Sequence, residues 1–383
     1  MQQTVLYLVS TLSRSGPINV LREIVRELDS NRFRASLVTL SAETANTCID
    51  DFRASGIPVR QLNLPRSASL LWGARAVESV VRDVDPTLIH SHGLRGDVLV
   101  ALARLRRPTV STLHCDLTRD YQLAYGRLTG RVIASIEYAA LKRLDGVAAV
   151  SESVAHAALD AQIPARLIPN GINLSVYRPA ATQDEIRQLR KMLAWPEELT
   201  LVLHTGVLIE RKDPIGVISA FRKSRLAKRG LLVFAGGGML LERCKRVAAS
   251  DANIRFLGNR TDIADLLRAA NLLVSNSAAE GLPMALLEGC ATGIRVLATR
   301  IPPHERIRTM FPGQVTLFTQ ESPASLREAF DEVDKAPAER IASPPSAALT
   351  EISGRTMSLR YQEFYEAVLH CQESPCHLQS RID

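Results

Sequence analysis

A chain of 383 residues is longer than one hydrophobic core usually supports, so its length predicts two domains. Hydrophobic residues form 46% of the chain, and no stretch approaches the roughly 20 apolar residues that a membrane-spanning helix needs. The formal net charge of +7 is spread among acidic residues along the predicted helices, which favours an ordinary solvated surface and gives no reason to expect a nucleic-acid partner.

The cysteines and the N-terminal sequence indicate the expected cellular compartment. Six cysteines are scattered without zinc-ligand spacing, so we expect reduced thiols and no structural metal. The N-terminus enters a predicted strand without the charged, apolar and cleavage segments of a secretory signal. We therefore expect a cytoplasmic protein, and the sequence leaves open a peripheral contact with the cytoplasmic face of the inner membrane.

The predicted fold class is α/β, because short apolar strands alternate with helices in two series, as in doubly wound parallel sheets. The first series has predicted strands at 4–9, 34–40, 88–90, 109–113, 146–150 and 166–168, with helices at 18–28, 70–84 and 96–104. The second series has predicted strands at 200–205, 230–235, 254–257, 272–275 and 295–298. Between them, Asn170-Gly171 is a strong turn signal.

The C-terminal part is less regular. The segment 336–350 is rich in Pro, Ala and Ser and predicts a flexible loop or connector. Residues 357–369 have the apolar spacing of a helix, and we expect disorder over 371–383.

The segment from Ala279 to Glu288 places two carboxylates around a Gly-x-Pro turn, between a buried strand and a short helix. Pro283 is the predicted first helical residue, since its missing N–H would be unsatisfied there anyway. The free N–H groups near Pro283 and Met284 can hold a diphosphate. Glu280 can then reach a sugar, and Glu288, about one and a half turns into the helix, a ribose diol. The alternative is a surface helix with ordinary glutamates.

A cationic turn follows the predicted strand at 200–205. Arg211 and Lys212 can neutralise a leaving diphosphate without a metal ion, because Arg offers a planar fork and Lys a compact charge. A solvated charged turn is the alternative. Gly237 lies in a run of three glycines after the strand at 230–235, where the backbone can approach a nucleotide or simply turn toward a helix.

These segments resemble the Glu-x7-Glu motif and its surroundings in the family 4 glycosyltransferases. Matching segments recur in order from about Val5 to the predicted helix that bears Tyr365, so the resemblance covers nearly the whole chain. It implies the GT-B fold, with two Rossmann-like domains facing a cleft at 1–175 and 176–345. It also implies a hinge at about 169–179 and a helix at about 355–370 that packs back on the first domain.

The resemblance also assigns roles to residues. It implies catalytic roles for Arg211, Lys212, Glu280 and His114. It implies donor binding by Gly16, Gly206, Gly237, Arg260, Gly281, Leu282, Pro283, Met284 and Glu288, and an acceptor side formed by His92 and Asp116, which would lie in a loop. Ser15 stands where the family usually has a glycine, and Val207 where it commonly has an arginine, so the phosphate contacts differ from the family pattern.

The function that the resemblance implies is sugar transfer from a nucleotide-sugar donor to a glycan or lipid-linked saccharide acceptor, with retention. Neither a cofactor nor a metal is expected, and the setting would be bacterial surface polysaccharide assembly (O-antigen, capsule or exopolysaccharide). A GT-B sugar-nucleotide epimerase or phosphorylase is one alternative. A non-catalytic nucleotide-sugar-binding scaffold is another, which Val207 keeps open.

One basic segment allows two interpretations. Residues 127–143 interleave four cations, Arg127, Arg131, Lys142 and Arg143, with the apolar residues Val132, Ile133, Ile136 and Leu141. That composition is compatible with docking on anionic lipid headgroups. We expect instead a helix packed on a sheet.

Overall fold

The computed structural model describes residues 2–65, 70–249, 251–320, 323–335, 340 and 343–373. The chain divides into two compact units. Unit 1 takes the chain up to Gly171 and again from Gly354, and unit 2 is Ile172–Ser353. The chain therefore leaves unit 1 directly after the predicted Asn-Gly turn.

Unit 1 contains a seven-stranded parallel sheet in the order β3-β2-β1-β4-β5-β6-β7. Its strands are β1 (Gln3–Val9), β2 (Phe33–Thr39), β3 (Val59–Gln61), β4 (Leu88–His92), β5 (Thr109–Leu113), β6 (Gly146–Ala149) and β7 (Arg166–Leu167). Its first helices are α1 (Gly16–Arg26), α2 (Ile49–Ala54), α3 (Leu70–Val84), α4 (Leu94–Leu102), α5 (Leu117–Tyr125), α6 (Arg127–Leu141) and α7 (Glu152–Asp160). The central strands β4 and β5 are buried on both faces.

Unit 2 contains a six-stranded parallel sheet in the order β10-β9-β8-β11-β12-β13. Its strands are β8 (Thr200–Thr205), β9 (Gly230–Ala235), β10 (Ile254–Gly258), β11 (Leu272–Ser275), β12 (Arg295–Thr299) and β13 (Val315–Phe318). Its helices are α8 (Gln183–Met192), α9 (Pro214–Lys223), α10 (Leu241–Ala248), α11 (Ile263–Ala269), α12 (Met284–Ala291), α13 (Pro302–Met310), α14 (Pro323–Lys335) and α15 (Ser346–Glu351), with short 3-10 turns at Glu210–Lys212 and Arg225–Lys228. The predicted pair of Rossmann-like sheets is confirmed.

The last helix, α16 (Gly354–Glu373), belongs to unit 1 and packs against α1. Two of its tyrosines form hydrogen bonds with side chains of β4 and β5. Tyr365 Oη lies 2.8 Å from His90 Nδ1, and Tyr361 Oη lies 2.9 Å from Thr112 Oγ1. All four side chains are buried, so these hydrogen bonds satisfy polar groups that would otherwise be costly beneath the helix.

Four local predictions need correction. Asp116 was predicted to lie in a loop, but it is the N-cap of α5, where its carboxylate accepts a hydrogen bond from the Arg119 N–H. Pro283 is the N-cap of α12, and the helix begins at Met284. The predicted connector at 336–350 ends in α15, whose Ala and Leu residues favour a helix. Residues 371–373 of the predicted disordered tail continue α16, and 374–383 lie outside the described residues.

Helices α5 and α6 touch backbone to backbone. A Cβ added to Gly130 of α6 would lie 2.4 Å from the backbone nitrogen of Gln122 in α5, so only glycine fits at this crossing. The buried residues of α6 are Gly130, Ala134, Glu137, Ala140 and Leu141, whereas Val132 and Ile136 are exposed. We expected this helix to pack on a sheet, and the structure shows it packing against α5 and α4 while Val132 and Ile136 stay exposed.

A buried pair of carboxyl groups joins α6 to α4. Glu137 is hydrogen-bonded to Asp97 and accepts a hydrogen bond from the Tyr121 hydroxyl of α5. Asp97 also accepts hydrogen bonds from Ser91 Oγ at 2.6 Å and Ser111 Oγ at 2.7 Å. Burial raises the pKa of Asp97 to about 6 and that of Glu137 well above its usual value. Burial and the neighbouring Asp97 carboxylate therefore both favour the protonated form of Glu137.

We predict that Glu137→Gln makes thermal stability less dependent on pH. Because the pKa of Glu137 is raised in the folded state, its contribution is fully present below the unfolded value of 4.5 and is lost as the pH rises through the folded value. Glutamine keeps a donor toward Asp97 and does not titrate. Circular dichroism melting between about pH 5 and pH 9 should show the variant gaining on the wild type as the pH rises.

The matched control is Glu152→Gln, which changes an exposed glutamate in the same unit. Its melting curve should stay parallel to that of the wild type at every pH. Parallel curves for Glu137→Gln as well would show that the buried pair carries no extra proton.

Candidate nucleotide-sugar site

The predicted donor residues of unit 2 meet at the carboxyl ends of neighbouring strands. Arg211 and Lys212 follow β8, Gly237 follows β9, and Glu280 follows β11. Strands β8 and β11 are adjacent, and the chain proceeds from them toward opposite edges of the sheet. Open α/β sheets bind ligands at such a switch point, so the topology alone marks this edge as a binding site.

Glu280 is the centre of the cluster. Its Oε1 accepts hydrogen bonds from Lys212 Nζ and Ser277 Oγ, both at 2.8 Å, and its Oε2 lies 2.9 Å from an Arg211 guanidinium nitrogen. The carboxylate is 9% exposed, and the two cations are 21% and 15% exposed. A buried carboxylate thus faces two cations that solvent or a ligand still reaches.

The cations decide the protonation state of Glu280. Burial by itself would raise the pKa of this carboxyl group, but Lys212 and Arg211 together outweigh that effect and hold its pKa far below the usual range. Glu280 is therefore ionised at any physiological pH. An ionised carboxylate accepts hydrogen bonds, for example from sugar hydroxyls, and cannot act as a general acid.

A tight turn presents the cations. The 3-10 turn Glu210–Lys212 ends at Asp213, which adopts a left-handed conformation with φ of 40°. The Asp213 carboxylate accepts hydrogen bonds from the Gly216 N–H at 3.0 Å and from Asn276 Nδ2 at 2.8 Å. Asp213 therefore fixes the turn to the segment after β11. Asp213, Asn276 and Ser277 were absent from the predicted site, although the Asp-Pro sequence before α9 is a recognisable N-cap signal.

The second glutamate lies where the motif predicts. Glu288 is in the second turn of α12 and is 6% exposed. The N-cap residue Pro283 makes no side-chain hydrogen bond to the first turn of the helix. Gly281 and Leu282 lead into that turn. The segment thus combines a helix N-terminus, which suits phosphate, with a carboxylate inside the helix.

The glycines and Arg260 have more specific surroundings. Gly206 has a φ of 120°, a conformation that favours glycine, and an added Cβ would lie in ordinary contact with Lys212 Nζ at 3.7 Å. The Gly237 N–H donates to Asn259 Oδ1 at 2.9 Å. Arg260 is exposed and forms a fork with the carboxylate of Asp262. Arg260 and Gly237 as donor contacts stay predictions.

Four predicted residues lie in unit 1. Gly16 is the first residue of α1, after β1, and Asp116 caps α5. His92 ends β4 and His114 follows β5, and the two rings lie with His92 Nδ1 3.0 Å from His114 Nε2. These residues therefore also gather at the carboxyl ends of neighbouring strands.

A single N–H hydrogen lies between the two facing ring nitrogens of His92 and His114 at neutral pH. Burial lowers the pKa of His114 to about 4 and that of His92 well below its ordinary value, so both rings are neutral. One of the two facing nitrogens donates and the other accepts. His92 Nε2 is buried and has no hydrogen-bond partner among the described residues. A hydrogen atom at that position would be an unsatisfied buried donor, so the favoured tautomer has His92 Nδ1–H donating to His114.

Comparison with known proteins agrees with this geometry. The model of Glycosyltransferase Family 4 matches residues 15–176, and the model of Glycosyl transferases group 1 matches residues 185–342. This chain belongs to the family 4 glycosyltransferases. The resemblance predicted from the motifs is thereby confirmed, and each model falls largely within one unit.

Individual relatives of this glycosyltransferase are distant. The chain is 28% identical over 142 residues to UDP-Gal:alpha-D-GlcNAc-diphosphoundecaprenol alpha-1,3-galactosyltransferase of Escherichia coli, a match that covers 35% of the chain and 36% of that protein. It is 23% identical over 308 residues to EpsF of Bacillus subtilis (strain 168), covering 76% of the chain and 78% of EpsF. The solved structure of Anabaena HepE in complex with UDP and glucose superposes with a TM-score of 0.78 at 21% identity, covering 96% of this chain and 100% of HepE. This last likeness shows a shared fold.

The described ranges contain neither a membrane-spanning helix nor a cluster of metal ligands. No helix in the described ranges is both long and apolar enough to cross a membrane. Within those same ranges, no group of three or more His, Cys, Asp or Glu side chains is arranged to hold a metal ion.

We predict that Glu280→Gln lowers the free energy of unfolding by about 2 to 4 kcal/mol at neutral pH. The substitution removes the negative charge that both Arg211 and Lys212 contact. Because solvent reaches the two cations in part, the loss stays below that of a fully buried ion pair. The folded-state pKa of Glu280 is depressed, so its contribution is present above the unfolded value of 4.5 and is lost as the pH falls. Denaturant unfolding should therefore show the difference shrinking in acid.

The control for this change is Glu198→Gln, which removes an exposed carboxylate from the same unit. It should leave unfolding within about 0.5 kcal/mol of the wild type. A Glu280→Gln protein that unfolded like the control would contradict the ion cluster.

Proposed function

We propose that this glycosyltransferase moves a sugar from a nucleotide-sugar donor to a glycan or lipid-linked acceptor in bacterial surface polysaccharide assembly. The observation that carries the proposal is the cluster of Glu280 with Arg211 and Lys212 at the switch point of unit 2. Departure of a nucleoside diphosphate builds negative charge on its phosphate oxygens. Two cations that are already held at that point can stabilise this charge with little rearrangement.

The same cluster explains why a carboxylate belongs beside the cations. Glu280 neutralises part of their charge before the donor arrives and holds both side chains in place. The cations stay partly exposed and can turn toward phosphate oxygens, while the ionised Glu280 accepts hydrogen bonds from the donor sugar. We propose that transfer needs no metal or cofactor, and that the leaving phosphate assists attack on its own face, which gives retention. Activity that survives chelation by EDTA would support the first of these statements.

Glu288 and the start of α12 supply the remaining donor contacts in the proposal. The carboxylate of Glu288 binds the ribose diol, and the N–H groups at the start of the helix face the diphosphate. The E. coli relative has UDP-Gal in its name, and HepE was solved with UDP. We therefore propose a UDP-sugar as the first donor to test.

The acceptor would bind at the carboxyl ends of the unit 1 strands. His92, His114 and Asp116 gather there, and the neutral imidazoles can exchange hydrogen bonds with sugar hydroxyls. The name of the E. coli relative describes a sugar on diphosphoundecaprenol, which is a lipid-linked acceptor. We propose an acceptor of this class, and hence a protein that works on the cytoplasmic face of the inner membrane.

The experiment that tests the donor site is a thermal shift series of the purified protein with UDP-, GDP-, ADP-, dTDP- and CMP-sugars. A ligand at 100-fold its dissociation constant stabilises the folded state by about 2.7 kcal/mol, which is a visible shift. A selective response to UDP-sugars would support the proposal. A flat response to the whole series would favour the scaffold alternative, and turnover of a UDP-sugar without acceptor would favour an epimerase.

We predict that Glu288→Gln weakens UDP binding by about tenfold to hundredfold, because a hydrogen bond to a charged group contributes about 1.5 to 3 kcal/mol. Isothermal titration measures this directly. Glu198→Gln is the matched control and should bind UDP like the wild type. Equal binding by both variants would remove Glu288 from the donor site.

A further inference from the structure

One face of α6 is unusual for a soluble helix. Leu128 is 80% exposed, Val132 60% and Ile136 49%, and these residues recur every four positions, so they form one continuous apolar stripe. Isolated exposed apolar residues are normal on proteins, whereas an aligned stripe marks an interaction surface. The inward face of this helix is already occupied by α5 and α4.

The charges around this stripe have a single sign. The exposed cations are Arg127 and Arg131 beside the stripe and Lys142 and Arg143 at the end of the helix. None of the four forms an ion pair within the described ranges, although exposed arginines elsewhere in the chain commonly do. The one acidic residue of α6, Glu137, is buried on the opposite face. The exposed face is therefore cationic and apolar at once.

A second apolar segment lies at the same edge of unit 1. Leu70, Leu71 and Trp72, in the first turn of α3, are 52%, 70% and 52% exposed. Helices α3 and α6 each lead directly into the start of a parallel strand, so both begin at the carboxyl edge of the sheet. Helix α4 packs against both. That edge also carries His92 and His114.

We propose that the α6 face, defined by Arg127, Leu128, Arg131, Val132 and Ile136, docks on an anionic lipid bilayer, with Leu70–Trp72 at the same edge. The purpose of this docking rests on the proposed function: a lipid-linked acceptor would present its sugar at the bilayer surface, beside the strand ends that hold the histidines. The apolar side chains enter the interface while the arginines contact headgroup phosphates.

Charge favours a bilayer over a second copy of the chain as the occupant. A symmetric dimer through this face would place the arginines of one copy against those of the other, since the same patch meets itself. That juxtaposition is repulsive, and the face offers no carboxylate to relieve it. An anionic surface complements all four cations.

Vesicle sedimentation of the full chain tests the proposal. The protein should bind vesicles that contain phosphatidylglycerol, should bind phosphatidylcholine vesicles much less, and should be released by salt. Arg127→Gln with Arg131→Gln should lower the partition coefficient about 30-fold, because each cation near an anionic membrane contributes about fivefold. Leu128→Ser with Val132→Ser should lower it by at least about tenfold, because apolar insertion is lost.

Matched controls separate the α6 face from general charge and apolarity. Met192→Ser removes an apolar side chain that is also 80% exposed but lies in unit 2. Lys223→Gln with Lys228→Gln removes two exposed cations from unit 2. Both control proteins should bind vesicles like the wild type, and circular dichroism melting should show that every variant is folded.

Three results would overturn the proposal: no binding of the wild type to anionic vesicles, equal weakening by the control variants, or a dimer in light scattering that the α6 changes dissociate. The UDP thermal shift reports the donor site independently. Vesicle binding without a UDP response would sink the proposed function alone, and a UDP response without vesicle binding would sink the docking surface alone.

Discussion

The donor unit depends on one ionised carboxylate held between two cations. Burial alone would raise the pKa of Glu280, Arg211 and Lys212 lower it, and the two cations would repel each other without the carboxylate. The three side chains come from two loops that follow adjacent strands. The ion cluster therefore holds two cations at the carboxyl end of the sheet, where a leaving diphosphate needs positive charge.

The turn Glu210–Lys212 and its neighbours hold that cluster in place. Asp213 accepts strain in its backbone and links the cationic turn to α9 and to Asn276 after β11. Gly206 adopts a conformation that favours glycine, and Ser277 adds a third donor to Glu280. Chemistry by preorganised charge requires this kind of rigid support, because a misplaced cation would lose much of its effect on the transition state.

In unit 1, the polar groups at the strand ends are neutral. Its strand ends carry histidines whose burial removes their charge, and α16 returns to satisfy the ring of His90 with a tyrosine hydroxyl. Beneath them, the buried carboxyl groups of Asp97 and Glu137 link α4, α5 and α6 to the sheet through Ser91 and Ser111. The α6 face is consequently attached to the same strands as the histidines, which is why a surface on that helix bears on the acceptor side.

The sequence by itself determined the sheets, the order of their elements and the chemical types at the strand ends. Apolar residues predominate in strands β8 and β11, and Arg211-Lys212 and the Glu280 to Glu288 segment follow these strands. Short strands such as β3 and β13 were missed, because a few residues give too little periodicity. Only the tertiary structure decided that Glu280 bonds both cations, that Asp213 locks their turn, and that α6 buries glycine and alanine while exposing Leu128, Val132 and Ile136. Those outcomes depend on contacts between segments that are far apart in the sequence, and local residue spacing does not specify such contacts.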